Sequence, residues 1–184
     1  MIAIMLNLLI EQLKTLPGAK ERKLAEGAWL FQQGDKVDCL CLVLSGEIRL
    51  IRYQADGSSI TLQRVKAGCI LAEASLYSAH YHCHAVVQQA TCVCALPKST
   101  LLQHLKTDAI LALKWTSYLA REVQQARFRS ELLSLKTVAA RLDAWLNWHN
   151  ETLPTKGEWK TLAEQLGVSP EALYREIARR NNDG

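Results

Sequence analysis

No run of apolar residues in this 184-residue chain reaches the ~18 that a membrane span requires. The first segment, MIAIMLNLLIEQLK, has no basic stretch ahead of its apolar residues, meets Glu11 early, and is followed by no small-residue cleavage site. These absences argue against a secretory leader and lead to the expectation of a cytoplasmic protein with no membrane partner. Met5, Leu8, Leu9 and Leu13 instead fall at helical spacing and predict a short packed helix.

Other chemistry is missing too. There is no Ser/His/Asp spacing, no glycine loop of the kind that cradles phosphate, and no pair of acids in a credible pocket, so no enzymatic activity is expected. Neither sign of charge dominates, with 22 Lys and Arg against 18 Asp and Glu. A net charge of +4 permits a nucleic-acid partner without implying one, because a local basic patch matters more than the total.

What is present falls into three segments. From Leu24 to about Pro97, short alternating runs are separated by turn signals. QQGDKVD and QADGSSI are polar turns, and Asp56-Gly57 marks a hairpin. CLCLVLSGEIRLIRY is expected to form two strands broken at Ser45-Gly46. This rhythm predicts a β-barrel or sandwich. From Ser99 to about Lys136 there is neither proline nor glycine, and a long amphipathic helix is expected. Its stripe runs Ala112, Thr116, Leu119, Val123, Ala126, Ser130 and Leu133, with the alternating steps of a two-stranded seam. Such a stripe needs cover, and a second copy of the chain supplies it, so a homodimer is expected. In the last segment Val138, Leu142, Trp145 and Leu146 line one helical face, and the turn-forming linker ETLPTKG follows.

The chemistry-bearing stretch is LAEQLGVSPEALYREIARR. Gly167 suits a left-handed helix end. Ser169 is a good N-cap and Pro170 fits the first helical position, where its missing N–H would be unpaired anyway. Leu173 and Ile177 are expected inward; Glu171, Tyr174, Arg175, Arg179 and Arg180 are expected outward. A helix that starts just after a tight turn is built to enter a major groove. There Arg can read guanine and Glu can accept from cytosine. Arginines further along would meet phosphates.

The order of parts resembles the Crp/Fnr superfamily of transcription regulators. GAWLFQQGD is similar to the first strand and turn of its jelly roll, and LVLSGEIRLIRYQADGSSITLQRVKAGCIL to the core of the roll, with Gly46, Gly57 and Gly68 at its turns. LGVSPEALYREI is similar to its recognition-helix pattern, with Ser169, Glu171 and Arg175 at positions used for capping and DNA contact. The resemblance implies an α+β chain of three parts. Residues 1–105 would be a cyclic-nucleotide-binding-like effector domain, 106–136 a long dimerisation helix, and 137–184 a helix-turn-helix lacking a complete wing. It implies a dimeric regulator of double-stranded DNA that answers to a small effector. The alternative is a degenerate, wingless relative that works as a protein–protein module.

Departures from the pattern bear on the effector. In relatives that bind cyclic nucleotides a Gly-Glu pair holds the ribose, and an Arg beside a small polar residue neutralises the phosphate. Here Glu73 follows Ala72, and Cys83-His84 occupies the arginine site. A buried phosphate without its cation suffers a heavy desolvation cost, so cAMP is disfavoured. At the other end Trp159 stands where a phosphate-binding polar residue is common, and Glu158 replaces the usual Thr cap.

Six cysteines in a reducing compartment are not expected to form a disulfide framework. Cys39 and Cys41 share one strand face, as do Cys92 and Cys94. If their strands are neighbours, four thiols would meet and suit a soft metal or an iron–sulfur cluster. His80, His82 and His84 alternate as well and offer a metal or haem ligand set. Plain packing of buried cysteine remains the competing reading.

Overall fold

The computed structural model describes residues 2–149 and 152–182, with side chains described from residue 7 of the first helix onward. The chain divides into two compact units, one up to Leu119 and one from Ala120.

In the first unit, helix α1 (Ile2–Lys14) precedes strands β1 (Lys20–Leu24), β2 (Trp29–Phe31), β3 (Cys39–Tyr53), β4 (Ser59–Lys66) and β5 (Cys69–Leu71). A short 3-10 turn, Glu73–Ser75, leads into β6 (His84–Pro97) and α2 (Lys98–Thr107). All pairings are antiparallel: β1-β6-β3-β4 form the path, with β2 on β6 and β5 on β3. The antiparallel pairing agrees with the β-barrel or sandwich that the alternating runs predict and with the jelly roll that the resemblance implies. The Asp56-Gly57 hairpin forms as expected, with the Gln54 N–H donating to the Ser58 carbonyl at 2.8 Å and Gly57 at φ 81°.

One expectation fails. Ser45-Gly46 does not break the long run into two strands; β3 continues from Cys39 to Tyr53. Its ladder with β6 shifts register between Val43 and Ile48 instead. Gly46 sits at φ 81°, and a side chain there would collide with Thr91 and with the Ala90 carbonyl 2.5 Å away. The glycine therefore makes a bulge against β6 rather than a turn.

β3 carries the core on both faces. Cys41, Val43, Ile48 and Leu50 face the roll interior with Val65, Leu71, Ala85, Val87 and Val93. Leu40 and Leu42 face a second cluster with Ile70, Cys94 and Leu96. Leu9 and Leu13 of α1, Leu101 of α2, and Leu111, Trp115 and Tyr118 cover that second face. Leu8, expected to pack, is 53 % exposed; the side chain of Met5 lies outside the described residues.

The glycine-free stretch is not one helix. It breaks at Asp108 (φ −111°, ψ 98°), which separates α2 from α3 (Ala109–Ser134). Asp108 accepts from the Leu111 N–H at 2.9 Å, a local side-chain bond that caps α3 and competes with helix continuation. Along α3 the members Val123 and Leu133 of the expected stripe are about half exposed, and Thr116, Ala126 and Ser130 are exposed. Thr116 donates to the Ala112 carbonyl at 2.9 Å, so its hydroxyl is satisfied within the helix.

The second unit packs Phe128 and Leu132 of α3 against α4 (Val138–Trp148), α5 (Trp159–Leu166) and α6 (Pro170–Asn182). Leu142 and Trp145 are buried, as the helical face predicts. Thr137 caps α4 by accepting from the Ala140 N–H at 3.1 Å. Within the linker, Glu151 lies outside the described residues, as do Asp183 and Gly184 at the end.

Candidate nucleic-acid interface and input segment

The turn between α5 and α6 is built as the sequence predicts. Gly167 ends α5 at φ 63° and ψ 40°, and the Val168 N–H returns to the Ala163 carbonyl at 3.0 Å. Ser169 Oγ accepts from the Ala172 N–H at 3.2 Å, and Pro170 opens α6. Leu173 and Ile177 are buried. On the opposite stripe Glu171, Tyr174, Arg175 and Arg179 are exposed. The Glu171 carboxyl is held below its usual range by its own backbone N–H and by Ser169. Tyr174 packs beside Trp159, ring centroids 5.7 Å apart, and the Trp159 indole donates to the Pro154 carbonyl at 3.1 Å.

Arg180 departs from the outward arrangement. It donates to Asp143 at 2.7 Å, to the Ala139 carbonyl at 3.1 Å and to Glu176 at 2.7 Å. Residues 173, 177 and 180 are separated by four and three, so the third arginine lies on the stripe that faces α4. Arg180 thus serves the packing of this unit. Arg179 shares Glu176 at 2.9 Å but keeps most of its side chain in solvent.

A residue that sequence reasoning missed holds the element together. Arg141 of α4 donates to the carbonyls of Leu133 (3.1 Å) and Leu135 (2.9 Å) at the end of α3. The same guanidinium donates to Leu166 (2.8 Å) and Gly167 (3.0 Å) at the end of α5. One cation therefore satisfies two helix C-termini, where carbonyls lack helical partners and the dipole favours positive charge. Only a basic residue on the largely apolar stretch VAARLDAWL hinted at it.

The thiol arrangement corrects another expectation. β3 and β6 are neighbours, but Leu42, not Cys41, stands opposite Cys94. Cys41 therefore enters the roll interior and Cys94 the opposite cluster. Cys92 lies 3.8 Å from the Glu21 carboxylate. The four thiols do not converge; only Cys39 and Cys41 meet, with their sulfurs 3.8 Å apart.

The histidines separate as well. His80 is exposed and bridges Lys36, and His82 is exposed with Nδ1 3.5 Å from Ser75 Oγ. The His84 ring lies between Trp29 and Tyr53, at 5.2 and 5.3 Å. Among the described residues no three His, Cys, Asp or Glu side chains are grouped to hold a metal ion.

The segment from Ala72 to His84 forms the rim of the roll. Ala72 takes the left-handed conformation at φ 54°, which glycine adopts without penalty, so the Ala-for-Gly exchange keeps the turn. Glu73 begins the 3-10 turn. Cys83 is buried, and desolvation raises its thiol. Arg52, two residues beyond inward-facing Leu50, lies near Cys83 and donates to the His82 carbonyl at 3.2 Å. It is an exposed cation beside the position that the resemblance assigns to the arginine.

Residues 21–108 match the family of cyclic nucleotide-binding domains. The cyclic AMP receptor protein of Thermus thermophilus is 29 % identical over 124 residues, 67 % of this chain and 57 % of that protein. The chain thus spans little more than half the length of the curated relative it matches. The chain is similar to Crp/Fnr-type regulators over nearly its whole length. Among solved Crp/Fnr structures, the T. thermophilus catabolite activator protein is 25 % identical (98 % of this chain, 84 % of that chain, TM-score 0.56). A putative cAMP-binding regulatory protein from Silicibacter pomeroyi is also 25 % identical (98 % and 87 %, TM-score 0.63). FixK2 from Bradyrhizobium japonicum shares the fold at 20 % identity (90 % and 86 %, TM-score 0.69). No described helix is long and apolar enough to cross a membrane.

Proposed function

We propose that this chain regulates transcription as a homodimer of Crp/Fnr type that inserts α6 into the major groove of double-stranded DNA. The supporting observation is the capped helix itself: it starts at a tight turn, anchors Leu173 and Ile177, and leaves Glu171, Tyr174, Arg175 and Arg179 exposed on one stripe. Arg175 reads a base edge in this scheme, while Arg179 and Tyr174 meet the backbone. The exposed stripe of α3 through Val123 is the pairing face.

The input differs from that of cAMP-binding relatives. A buried thiol, Cys83, occupies the arginine site, and the nearby cation Arg52 already holds the His82 carbonyl. The effector shifts the dimer between states of different operator affinity, with a coupling of roughly 1–3 kcal/mol.

Selection of bound sites from random duplex DNA tests this reading. It should return a two-fold symmetric site, and Arg175→Ala should lose discrimination at one base pair per half-site by roughly 1–3 kcal/mol. Sedimentation should show a dimer that Val123→Asp dissociates. A dimer without sequence-selective binding would instead establish a protein–protein module.

A further inference from the structure

The two thiols that do meet occupy an unusual position. Cys39 and Cys41 lie two apart on β3, so both side chains leave the same face. Their sulfurs are 3.8 Å apart, with Cys39 half-buried and Cys41 buried in the roll interior. The Tyr81 hydroxyl donates to the Cys39 carbonyl at 2.9 Å, and the Tyr81 ring stacks on Phe31 at 3.6 Å. Tyr81 belongs to the rim segment that carries Cys83 and His84. One half-buried thiol, one buried thiol in contact with it, and an aromatic anchor of the input segment therefore share one corner of the fold.

We infer that Cys39 and Cys41 form a peroxide-reactive dithiol, in which Cys39 is the attacking sulfur and Cys41 the resolving one. The electrostatics agree with the geometry. The Cys41 thiol beside Cys39 is the largest influence on it and lowers its pKa; Arg22 and Tyr81 act in the same direction. Together they outweigh burial and Asp38 and bring Cys39 down to about 7. Cys41 moves well above the ordinary thiol range, because it keeps the shared proton and is buried.

The Cys39 thiolate attacks one oxygen of a hydroperoxide. The O–O bond breaks, the departing oxygen takes a proton and leaves as water or an alcohol, and Cys39 becomes a sulfenic acid. Cys41 then attacks the Cys39 sulfur; the S–O bond breaks, and the hydroxyl leaves with the Cys41 proton as water. Two thiols and one hydroperoxide yield one disulfide, one alcohol or water, and one further water. Sulfur is oxidised by two electrons and the peroxide reduced by two.

Strand geometry gives this bridge its character. Two strand residues span about 6.6–6.8 Å, the upper end of the Cα separations that a disulfide tolerates. Their same-face Cβ atoms lie beyond its usual ~3.5–4.5 Å, so closing the bridge must pull Cys39, the first residue of β3, out of the extended backbone. The closed form is strained and readily reduced, which suits a reversible modification rather than a permanent staple. Drawing the sulfurs from 3.8 Å to bonding distance displaces Cys39 and with it the hydrogen bond that anchors Tyr81.

The test uses the full chain, treated with hydrogen peroxide and mapped by mass spectrometry with a sulfenic-acid trap. Wild type should lose two hydrogens at the Cys39–Cys41 peptide, reversibly with dithiothreitol. Cys41→Ser should instead trap an adduct at Cys39, and Cys39→Ser should give neither product. At pH 7 a thiol of pKa about 7 has a roughly sixteen-fold larger thiolate fraction than one at about 8.5. Lower nucleophilicity offsets this about five-fold, so Cys39 should react about three times faster than an unperturbed thiol. Because Cys41 is buried and its serine variant can misfold, the wild-type map is decisive on its own. First oxidation at Cys69, Cys83, Cys92 or Cys94 would overturn the inference. So would conversion of Cys39 to a sulfinic acid without a bridge, or unchanged oxidation in Cys39→Ser. None of these readouts depends on DNA binding.

Discussion

Truncating Arg141 should unfasten the second unit at a single point. Its guanidinium makes four hydrogen bonds, to Leu133, Leu135, Leu166 and Gly167. The bonds to Leu135 and Leu166 are part-buried, whereas those to Leu133 and Gly167 are at exposed positions where water can replace the donor. Counting only the part-buried pair, at about 1.5 kcal/mol each for a charged donor, gives a cost near 3 kcal/mol for Arg141→Ala. Lysine offers a point charge instead of a planar fork, so Arg141→Lys should recover less than half of this. Unfolding of the whole chain mixes two units and is a poor readout. Amide hydrogen exchange in α5 and α6 isolates the second unit, and 3 kcal/mol there is a loss of about two powers of ten in protection. Protection within about three-fold of wild type in Arg141→Ala, corresponding to some 0.7 kcal/mol, would refute the assigned role. Full recovery by lysine would refute the argument from fork geometry.

Other outcomes follow from the same structure. Arg180→Ala should lower the stability of the second unit while leaving base discrimination unchanged, and Arg175→Ala should do the reverse; hydrogen exchange paired with site selection separates them. Ser169→Ala should cost roughly 1 kcal/mol by removing the α6 cap, measured by chemical denaturation. Gly167→Ala should cost roughly 1–3 kcal/mol for the left-handed backbone alone, and its new methyl would meet Leu133 Cδ2 at 2.5 Å. Arg179 and Arg180 hold the Glu176 carboxyl below its ordinary 4.5. The folded state therefore binds fewer protons there than the unfolded chain, and its contribution, present above that value, is lost as pH falls through the depressed one. Acid titration of α6 unfolding should show a shallower decline below pH 4.5 in Glu176→Gln.

Much of the architecture was legible because periodicity is local. Alternation fixed the strands, the Asp56-Gly57 pair fixed a hairpin, and Gly167, Ser169 and Pro170 set the turn before α6 through their own backbone preferences. Glu73 and Cys83 were singled out only by resemblance to relatives. The outward face of α6 was legible except at Arg180, whose inward place is itself implied by its spacing from Leu173 and Ile177. Asp108 was also readable in principle, since a short carboxylate caps the helix that follows it.

Contacts between distant segments were decided by tertiary structure alone. Whether Gly46 makes a turn or a bulge depends on the approach of Thr91, forty-five residues away. Whether four cysteines gather depends on register, because a shift of one residue between β3 and β6 sends a thiol to the opposite face. Whether Arg52 supplies a cation to the rim depends on β3 running unbroken past Gly46 and delivering it beside Cys83. Arg141 reads as an ordinary charge on a helix until two other helices end within reach of its donors. Sequence determined most of the elements, β3 excepted, since these follow from dihedral preference and side-chain period. The packed fold determined which side chains meet, since that is settled by pairing register and close approach across the chain.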